Sequence, residues 1–247
     1  MQNLWESAPV DYTLPSGEVH VWRMELDQPA ERVEALGRSL SAEELARANR
    51  FQFDRDRQHF VVARGLLRFL LGRYTAREPE HVAITYGNYG KPELLASVGR
   101  SLSFNVSHAG DQALMAFTPD QQIGVDIEAK RPLPDLETIA AQFFSPHEQA
   151  ALRSLPLEDR VDAFYNIWTR KEAFIKATGY GLMFPLDQFD VSVKPNDPAC
   201  LLTIRGNHQL AAHWTLTSLV AASGYAAALA VDGKVQRVRC FSASATL

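Results

Sequence analysis

The sequence predicts an α+β protein built from two similar halves. Two long segments, one starting near Asp54 and one spanning Asp159–Thr178, carry apolar residues at a helical period. Each is followed by several short apolar segments of strand character, interrupted by Gly and Pro. Hydrophobic residues make up 46% and charged residues 22% of the 247 residues, a composition typical of a globular protein with room for one large domain or two small ones.

The first half begins with a strand and continues with two predicted helices. Ser41 and Glu44 form a capping-box pattern that starts a short helix. Asp54 is the predicted N-cap of a longer helix that ends near Gly72. Residues 87–92 are predicted to form an irregular loop because of their glycines and proline. The predicted strands of this half are Glu18–Leu26, Val82–Tyr86, Leu102–Val106 and Ala113–Thr118.

The second half repeats this order. Ser145 and Glu148 form another capping box, with Pro146 at the first helical position. The helix Asp159–Thr178 is predicted to end at Gly179, a favoured C-cap residue. We therefore predict two units, residues 1–119 and 120–247, with a site at their interface. The predicted strands here are Gln122–Ile127, Asp190–Val193, Leu201–Arg205, His213–Leu219, Tyr225–Val231 and Val235–Phe241.

Charge and composition argue against several classes of protein. The net charge of −4 does not favour nucleic-acid binding. Residues 47–73 are rich in arginine, and these arginines could form either a local basic surface or simply the solvated face of a helix. Residues 1–30 lack the apolar core of a signal peptide, and residues 219–231 are too short to span a bilayer. Cys200 and Cys240 match no metal-binding spacing, which predicts reduced thiols in a cytoplasmic protein.

Two carboxylates, Asp126 and Glu128, stand two residues apart in a predicted strand and therefore point to one face. Adjacent carboxylates repel each other unless a cation or a proton lies between them. The alternative is a polar strand face that Lys130 and Arg131 neutralise.

A third carboxylate, Glu172, is aligned with Lys176 and Trp168 on the second long helix, because residues four apart share a helical face. Three carboxylates can hold Mg²⁺, which prefers oxygen ligands and often has a substrate phosphate among them. The alternative is a surface Glu–Lys pair. The apolar neighbours of Glu172 argue against it, because they are not typical of a freely solvated helix face. Phosphoryl-type transfer is the chemistry that these residues indicate.

Lys91, Ser107 and His108 stand at predicted loop or strand ends and are suitable donors to phosphate oxygens. Each has a plain alternative. Lys91 fits a turn, Ser107 fits a turn cap, and His108 fits a hydrogen-bonded core histidine.

Several segments together resemble a known enzyme family over roughly residues 40–195. They resemble the 4′-phosphopantetheinyl transferases of the long, surfactin-synthetase-activating type, in sequence and in order. The segments are Gly90-Lys-Pro92, Phe104-Asn-Val-Ser-His108, Gly124-Val-Asp-Ile-Glu128, Trp168-Thr-Arg-Lys-Glu-Ala-Phe-Ile-Lys176 and Gly179-Tyr-Gly-Leu182.

The resemblance implies a fold of two halves related by pseudo-two-fold symmetry, with the active site at their interface. It implies that coenzyme A binds there with Mg²⁺ and that phosphopantetheine passes to a serine of an apo acyl, polyketide or peptidyl carrier protein. The implied metal ligands are Asp126, Glu128 and Glu172, and the implied catalytic residues are Glu172, Lys176 and His108. The implied coenzyme A contacts are Arg47, Arg55, Lys91, Asn105, Ser107, His108 and Lys176.

Some questions stay open at this point. Glu172 could accept the serine proton directly or through a water on the metal. The carrier could dock on the arginine-bearing helix or near Tyr180–Phe184. Glu44 stands where some relatives carry a lysine. A non-catalytic coenzyme A or carrier-binding module and a Mg²⁺-dependent nuclease or phosphatase are the alternative functions. We expect a monomer with no nucleic-acid or membrane partner.

Overall fold

Each half of the chain sets one long helix against a small sheet in the computed structural model, which describes residues 5–87, 90–95, 101–195 and 197–243. Asn88 and Tyr89 of the predicted irregular loop lie outside these residues. The first half contains β1 (Trp5–Glu6), β2 (Glu18–Glu25), α1 (Ala30–Gly37), α2 (Ala42–Ala48), α3 (Asp54–Thr75), β3 (Ile84–Tyr86), β4 (Pro92–Leu94), β5 (Leu102–Ala109) and β6 (Gln112–Pro119). The second half contains β7 (Ile123–Ala129), α4 (Leu136–Phe143), α5 (Pro146–Arg153), α6 (Leu157–Thr178), β8 (Phe189–Val191), β9 (Leu201–Ile204), α7 (His208–His213), β10 (Thr215–Ser218), β11 (Tyr225–Val231) and β12 (Arg237–Ser242).

The two halves share one topology. The first sheet has the strand order β1-β12-β2-β6-β5 and the second has β10-β11-β7. Within them, β2-β6-β5 corresponds to β7-β11-β10, and each half adds a two-stranded hairpin after its long helix. The predicted α+β class with two similar halves is thus confirmed. The division at residues 119/120 stays a prediction, and β12 near the end of the chain pairs with β2 in the first sheet.

Three apolar clusters stack the elements into four layers, because each sheet buries both of its faces. One cluster joins α3 to the first sheet, a second joins the first sheet to the second, and a third joins the second sheet to α6. Alternate residues of β7 divide between two layers: Ile123, Val125 and Ile127 face the first sheet, which leaves the intervening residues on the side of α6.

Local sequence signals account for several helix ends. The capping boxes at Ser41 and Ser145 both form, and Gly179 ends α6 in the left-handed conformation with a φ of 72°. The prediction for Asp54 is wrong, since Phe53 occupies the N-cap and Asp54 is the first helical residue.

Three helices differ from the predicted elements. The helices α1 and α4 were not predicted, and neither has a hydrogen-bonded side-chain cap that would mark its start. The predicted strand His213–Leu219 is shorter and follows α7, whose N-cap Asn207 accepts hydrogen bonds from two backbone N–H groups. Among the described residues, none of the helices combines the length and apolar composition needed to cross a bilayer.

Candidate active site

The edge strands β5 and β7 bring the two halves together through side chains that replace a regular backbone ladder. The Asn105 side-chain oxygen accepts a hydrogen bond from the Val125 N–H at 2.9 Å. Two residues on, the Ser107 hydroxyl accepts one from the Ile127 N–H at 3.3 Å. Both side chains are buried, so the unpaired donors of β7 are satisfied from the other half. Ser107 and His108 belong to β5, which runs to Ala109 and is longer than the predicted strand Leu102–Val106.

The approach of α6 to β7 depends on a glycine. A Cβ atom at Gly124 would lie 2.1 Å from the Ala173 carbonyl oxygen and 2.3 Å from the Ala177 nitrogen. No side chain fits in that space without a shift of the helix backbone. Gly124 therefore allows α6 to lie directly on β7, which brings Lys176 to the face of the strand that carries Asp126.

Asp126, Ser107 and Lys176 form the centre of the site. The Lys176 ammonium lies 2.6 Å from Asp126 Oδ1 and 2.9 Å from Ser107 Oγ. Ser107 donates its proton to Asp126 Oδ1 at 2.9 Å and accepts from both Lys176 and the β7 backbone, which uses the full capacity of a hydroxyl. Within the described part of the chain, Asp126 Oδ2 is buried and has no hydrogen-bond partner.

The two other predicted carboxylates border this centre. Burial raises the pKa of Glu172 above its usual value, and the charge of Asp126 raises it further. Burial likewise raises the pKa of Glu128, with Asp126 as the next cause. Lys176 opposes both shifts. Asp126 thus interacts electrostatically with both glutamates.

The carboxylates fit a hard cation by their chemistry. Orphaned Oδ2 of Asp126 and two glutamates with raised pKa values are groups that a divalent cation would stabilise. Among the described residues, no set of three or more His, Cys, Asp or Glu side chains is already arranged as a metal site. Lys176 is the cation that contacts Asp126 here.

A cavity of about 720 Å³ opens between α3, the end of β5 and three residues of the segment that precedes β5, Tyr86, Gly90 and Pro92. Its size is that of a pocket for a ligand larger than a simple phosphate. The basic side chains that line it are Arg47, Arg55, His59, Arg64 and His108.

His108 lines the cavity and interacts electrostatically with Lys176 of the central cluster. Partial desolvation by the cavity wall lowers the pKa of His108, and the nearby positive charges of Lys176 and His59 lower it further. The lowered pKa favours the neutral imidazole, which donates a hydrogen bond from one nitrogen and accepts one at the other.

The two predicted arginines occupy the rim of the cavity. Arg55 pairs with Asp27 at 3.0 Å, and both side chains are well exposed. Arg47 lies over the Phe60 ring, with its guanidinium carbon 5.3 Å from the ring centre.

Sequence reasoning missed His59 and Arg64 as cavity residues. His59 contacts Asp27 at 2.6 Å. Arg64 donates to the Tyr86 hydroxyl at 3.1 Å, and its buried Nη1 has no partner among the described residues. The available signal was helical spacing, since His59 lies one turn after Arg55.

Glu44, at a position where the resemblance implied a lysine in some relatives, is buried and is an internal partner of arginines. Its carboxylate lies 2.5 Å from Arg68 Nε and 3.6 Å from Arg64 Nε. It therefore orients Arg64 toward the cavity and does not itself line it.

Lys91 lies apart from the basic cavity. Its ammonium donates to the backbone carbonyls of Ile123 at 2.9 Å, Lys176 at 2.8 Å and Ala177 at 3.4 Å. The predicted contacts of Lys91 and Asn105 with coenzyme A stay predictions. In the structure both side chains bind the backbone of the other half.

Comparison with known proteins finds relatives over most of the chain. The family described as the 4′-phosphopantetheinyl transferase superfamily matches residues 122–230, and the family described as 4′-phosphopantetheinyl transferase, N-terminal, matches residues 27–120. The 4′-phosphopantetheinyl transferase HetI of Nostoc sp. is 43% identical over 94% of this chain and 95% of its own length. The 4′-phosphopantetheinyl transferase Sfp of Bacillus subtilis is 32% identical over 69% of this chain and 75% of its own.

Proposed function

Because this chain belongs to the 4′-phosphopantetheinyl transferase family and transfers phosphopantetheine from coenzyme A to a carrier protein, we propose that the cluster around Asp126 is its catalytic centre. The observation that carries this proposal is the Lys176 ammonium 2.6 Å from Asp126 Oδ1, beside a basic cavity. Cationic donors and carboxylates at one point suit a pyrophosphate substrate.

Coenzyme A is proposed to place its nucleotide end in the basic cavity. The proposed ligands of its 3′-phosphate are three arginines of the cavity, Arg47, Arg55 and Arg64. Arg64 was not among the predicted contacts, and its Nη1, unpartnered among the described residues, supports adding it to them. His108 lines the cavity and lies close enough to Lys176 for the charge of that lysine to lower its pKa, which supports contacts from both to the pyrophosphate.

Mg²⁺ is the proposed cofactor, with Asp126, Glu128 and Glu172 as the residues that would hold it. The orphaned oxygen of Asp126 and the raised pKa values of the two glutamates support this assignment. When bound, the ion would neutralise charge on the pyrophosphate oxygens.

The proposed step is an in-line displacement at phosphorus. The carrier serine oxygen bonds to the phosphorus that bears pantetheine, the bond from this phosphorus to the bridging oxygen of 3′,5′-ADP breaks, and 3′,5′-ADP leaves with the electron pair. Glu172 is the proposed acceptor of the serine proton, because its raised pKa makes it a stronger base than an exposed glutamate. Lys176 and His108 stabilise the charge on the transferring group.

The test is a transfer assay by mass. Several apo acyl and peptidyl carrier proteins are incubated with the protein, coenzyme A and Mg²⁺, and each carrier is weighed. We expect a mass increase equal to one phosphopantetheine group on at least one carrier. Coenzyme A binding without any mass increase would instead favour the binding-module alternative, which the family membership does not favour.

We further propose a monomeric enzyme of the cytoplasm that serves an acyl, polyketide or peptidyl carrier. Assembly of the site from two halves of one chain supports the monomer, because no second copy is needed to complete it. Light scattering of the protein alone and with an apo carrier measures both the oligomeric state and the stoichiometry of the complex.

A further inference from the structure

The ammonium group of Lys91 joins the two elements that carry the site. It donates to the Ile123 carbonyl, where β7 begins, and to the Lys176 and Ala177 carbonyls in the last turn of α6. An ammonium group has three N–H donors and no acceptor. The three carbonyl oxygens therefore occupy all three donors of Lys91, and none is left for a bound phosphate.

The carbonyls concerned have few other partners available. The last four carbonyls of a helix lack intrahelical acceptor bonds, and the negative end of the helix dipole favours a cation. Lys176 and Ala177 fall in this last turn of α6, which ends at Thr178. Lys91 thus acts as a C-terminal cap supplied from the other half of the molecule.

The position of this cap is next to the close contact between strand and helix. Ile123 precedes Gly124, whose missing side chain lets β7 approach Ala173 and Ala177. Lys91 binds the carbonyls of both Ile123 and Ala177, so it holds the start of β7 against the last turn of α6. Burial lowers the pKa of Lys91 to about 8, and Glu93 is the charge that opposes this, so the interaction is maintained against a desolvation cost.

We infer that Lys91 is a positioning residue for the transfer reaction: it fixes the α6 backbone at Lys176 against the start of β7, so that the Lys176 ammonium meets Asp126. This inference rests on the proposed function. It replaces direct contact with coenzyme A as the role of Lys91, and it makes the lysine act through the geometry of Lys176 and Asp126.

The test separates turnover from substrate affinity. Lys91→Met keeps the aliphatic stem and removes the donors. We expect kcat to fall about 10–100-fold, as for other residues that orient a reacting group, while the Kd of coenzyme A changes less than about threefold. Lys234→Met is the matched control, because the ammonium of Lys234 also donates to a backbone carbonyl, that of Ala212, in an exposed position. This control should retain wild-type kcat and Kd.

A double-mutant cycle tests whether Lys91 works through Lys176. Lys176→Gln keeps a hydrogen-bond donor, so its residual turnover can be measured by mass in a single-turnover assay. We expect Lys91→Met to lower the rate of this variant less than about twofold, because interacting residues are non-additive. Rate losses that multiply, or an unchanged kcat in Lys91→Met, would overturn the inference.

Two further outcomes are decisive. A rise of about tenfold or more in the Kd of coenzyme A for Lys91→Met, with kcat unchanged at saturation, would restore the direct contact. If Lys91→Met does not fold, Lys91→Gln, which keeps two donors, is measured in its place with the same expected split between kcat and Kd. Absence of transfer by the wild-type protein would refute the proposed function itself, which is a separate result.

Discussion

Asp126 is the central residue of the proposed catalytic site. One carboxylate oxygen accepts from Ser107 and Lys176, while the other is buried without a partner among the described residues. A buried unpaired oxygen carries an energetic cost, and such a cost is accepted at a position where a ligand supplies the missing interaction. The asymmetry between the two oxygens of one side chain therefore supports its assignment as a metal ligand.

Replacement of this carboxylate should abolish transfer and metal response together. We expect Asp126→Asn to lower kcat about 10²–10³-fold, because charge stabilisation at the transferring group is lost. Added Mg²⁺ should raise the Tm of the wild-type protein and not that of the variant. The exposed Asp162→Asn change is the control and should alter neither quantity. Transfer near the wild-type rate in Asp126→Asn would contradict the assignment.

His20 is a buried titratable group outside the site. Trp22 donates to the Tyr74 hydroxyl at 2.9 Å, and the same hydroxyl lies 2.7 Å from His20 Nδ1. Burial lowers the pKa of His20 below its usual value, which favours the neutral imidazole. In the neutral tautomer that carries its proton on Nε2, the Tyr74 hydroxyl donates to Nδ1, and Nε2–H donates to Glu18 at 3.0 Å.

The lowered pKa of His20 makes the free energy of unfolding depend on pH. The unfolded chain protonates this histidine at about pH 6.5, while the folded chain does so only at lower pH. The contribution of His20 is therefore fully present above about pH 6.5 and decreases as the pH falls toward the folded pKa. Urea unfolding at a series of pH values should show that the free energy of unfolding falls less steeply with decreasing pH in His20→Gln than in the wild-type protein. Exposed His213→Gln is the control, and equal slopes in all three proteins would contradict the prediction.

At the scale of the elements, the strand β7 and the helix α6 carry most of the proposed catalytic residues. The strand period placed Asp126 and Glu128 on one face, and the helical period placed Glu172 and Lys176 on another, as the sequence predicted. Their contact required Gly124, whose absent side chain allows the helix backbone to lie on the strand. The close approach explains why the segment carries glycine two residues before Asp126.

A methyl group at position 124 should separate the two elements. Gly124→Ala is expected to lower the free energy of unfolding by about 1–3 kcal/mol, as overpacking of a core does. Transfer should fall about 10–100-fold because Lys176 moves away from Asp126. Gly37→Ala is the matched control, since a Cβ atom there meets only a Val61 methyl at 3.4 Å. An unchanged urea midpoint and an unchanged kcat in Gly124→Ala would contradict the prediction, because α6 would then accommodate the methyl group without moving away from β7.

At the scale of the whole molecule, both halves use the same buried ion pair. Each capping-box glutamate, Glu44 on α2 and Glu148 on α5, contacts a cation of the next long helix. Arg68 lies 2.5 Å from Glu44, and Lys171 lies 2.8 Å from Glu148. This repetition at the residue level was not recognised in the sequence, because the two cations are of different types and the contact joins separate helices.

Removal of one cation from such a pair should destabilise the fold strongly. Lys171→Met is expected to lower the free energy of unfolding by about 3–5 kcal/mol, because Glu148 would remain buried without its partner. The exposed pair between Lys130 and Asp162 provides the control, and Lys130→Met should cost less than about 1 kcal/mol. Denaturant unfolding measures both, and equal losses would show that burial does not distinguish the pairs.

The sequence by itself determined what depends on neighbouring residues. Capping boxes, the Gly179 cap and the faces of β7 and α6 follow from short-range geometry, and the order of the motifs indicated the family that the comparisons confirm. The short helices α1 and α4 escaped prediction because no side-chain cap marks their starts.

Only the tertiary structure decided which side chains meet. Lys176 and Asp126 are 50 residues apart, and Ser107 belongs to the other half. Lys91 donates to the backbone across the interface and Asn105 accepts from it, contacts that the sequence did not predict. Such contacts depend on how two sheets and a helix pack, which local periodicity does not encode, and on the need of buried backbone groups for a partner wherever a regular ladder is missing.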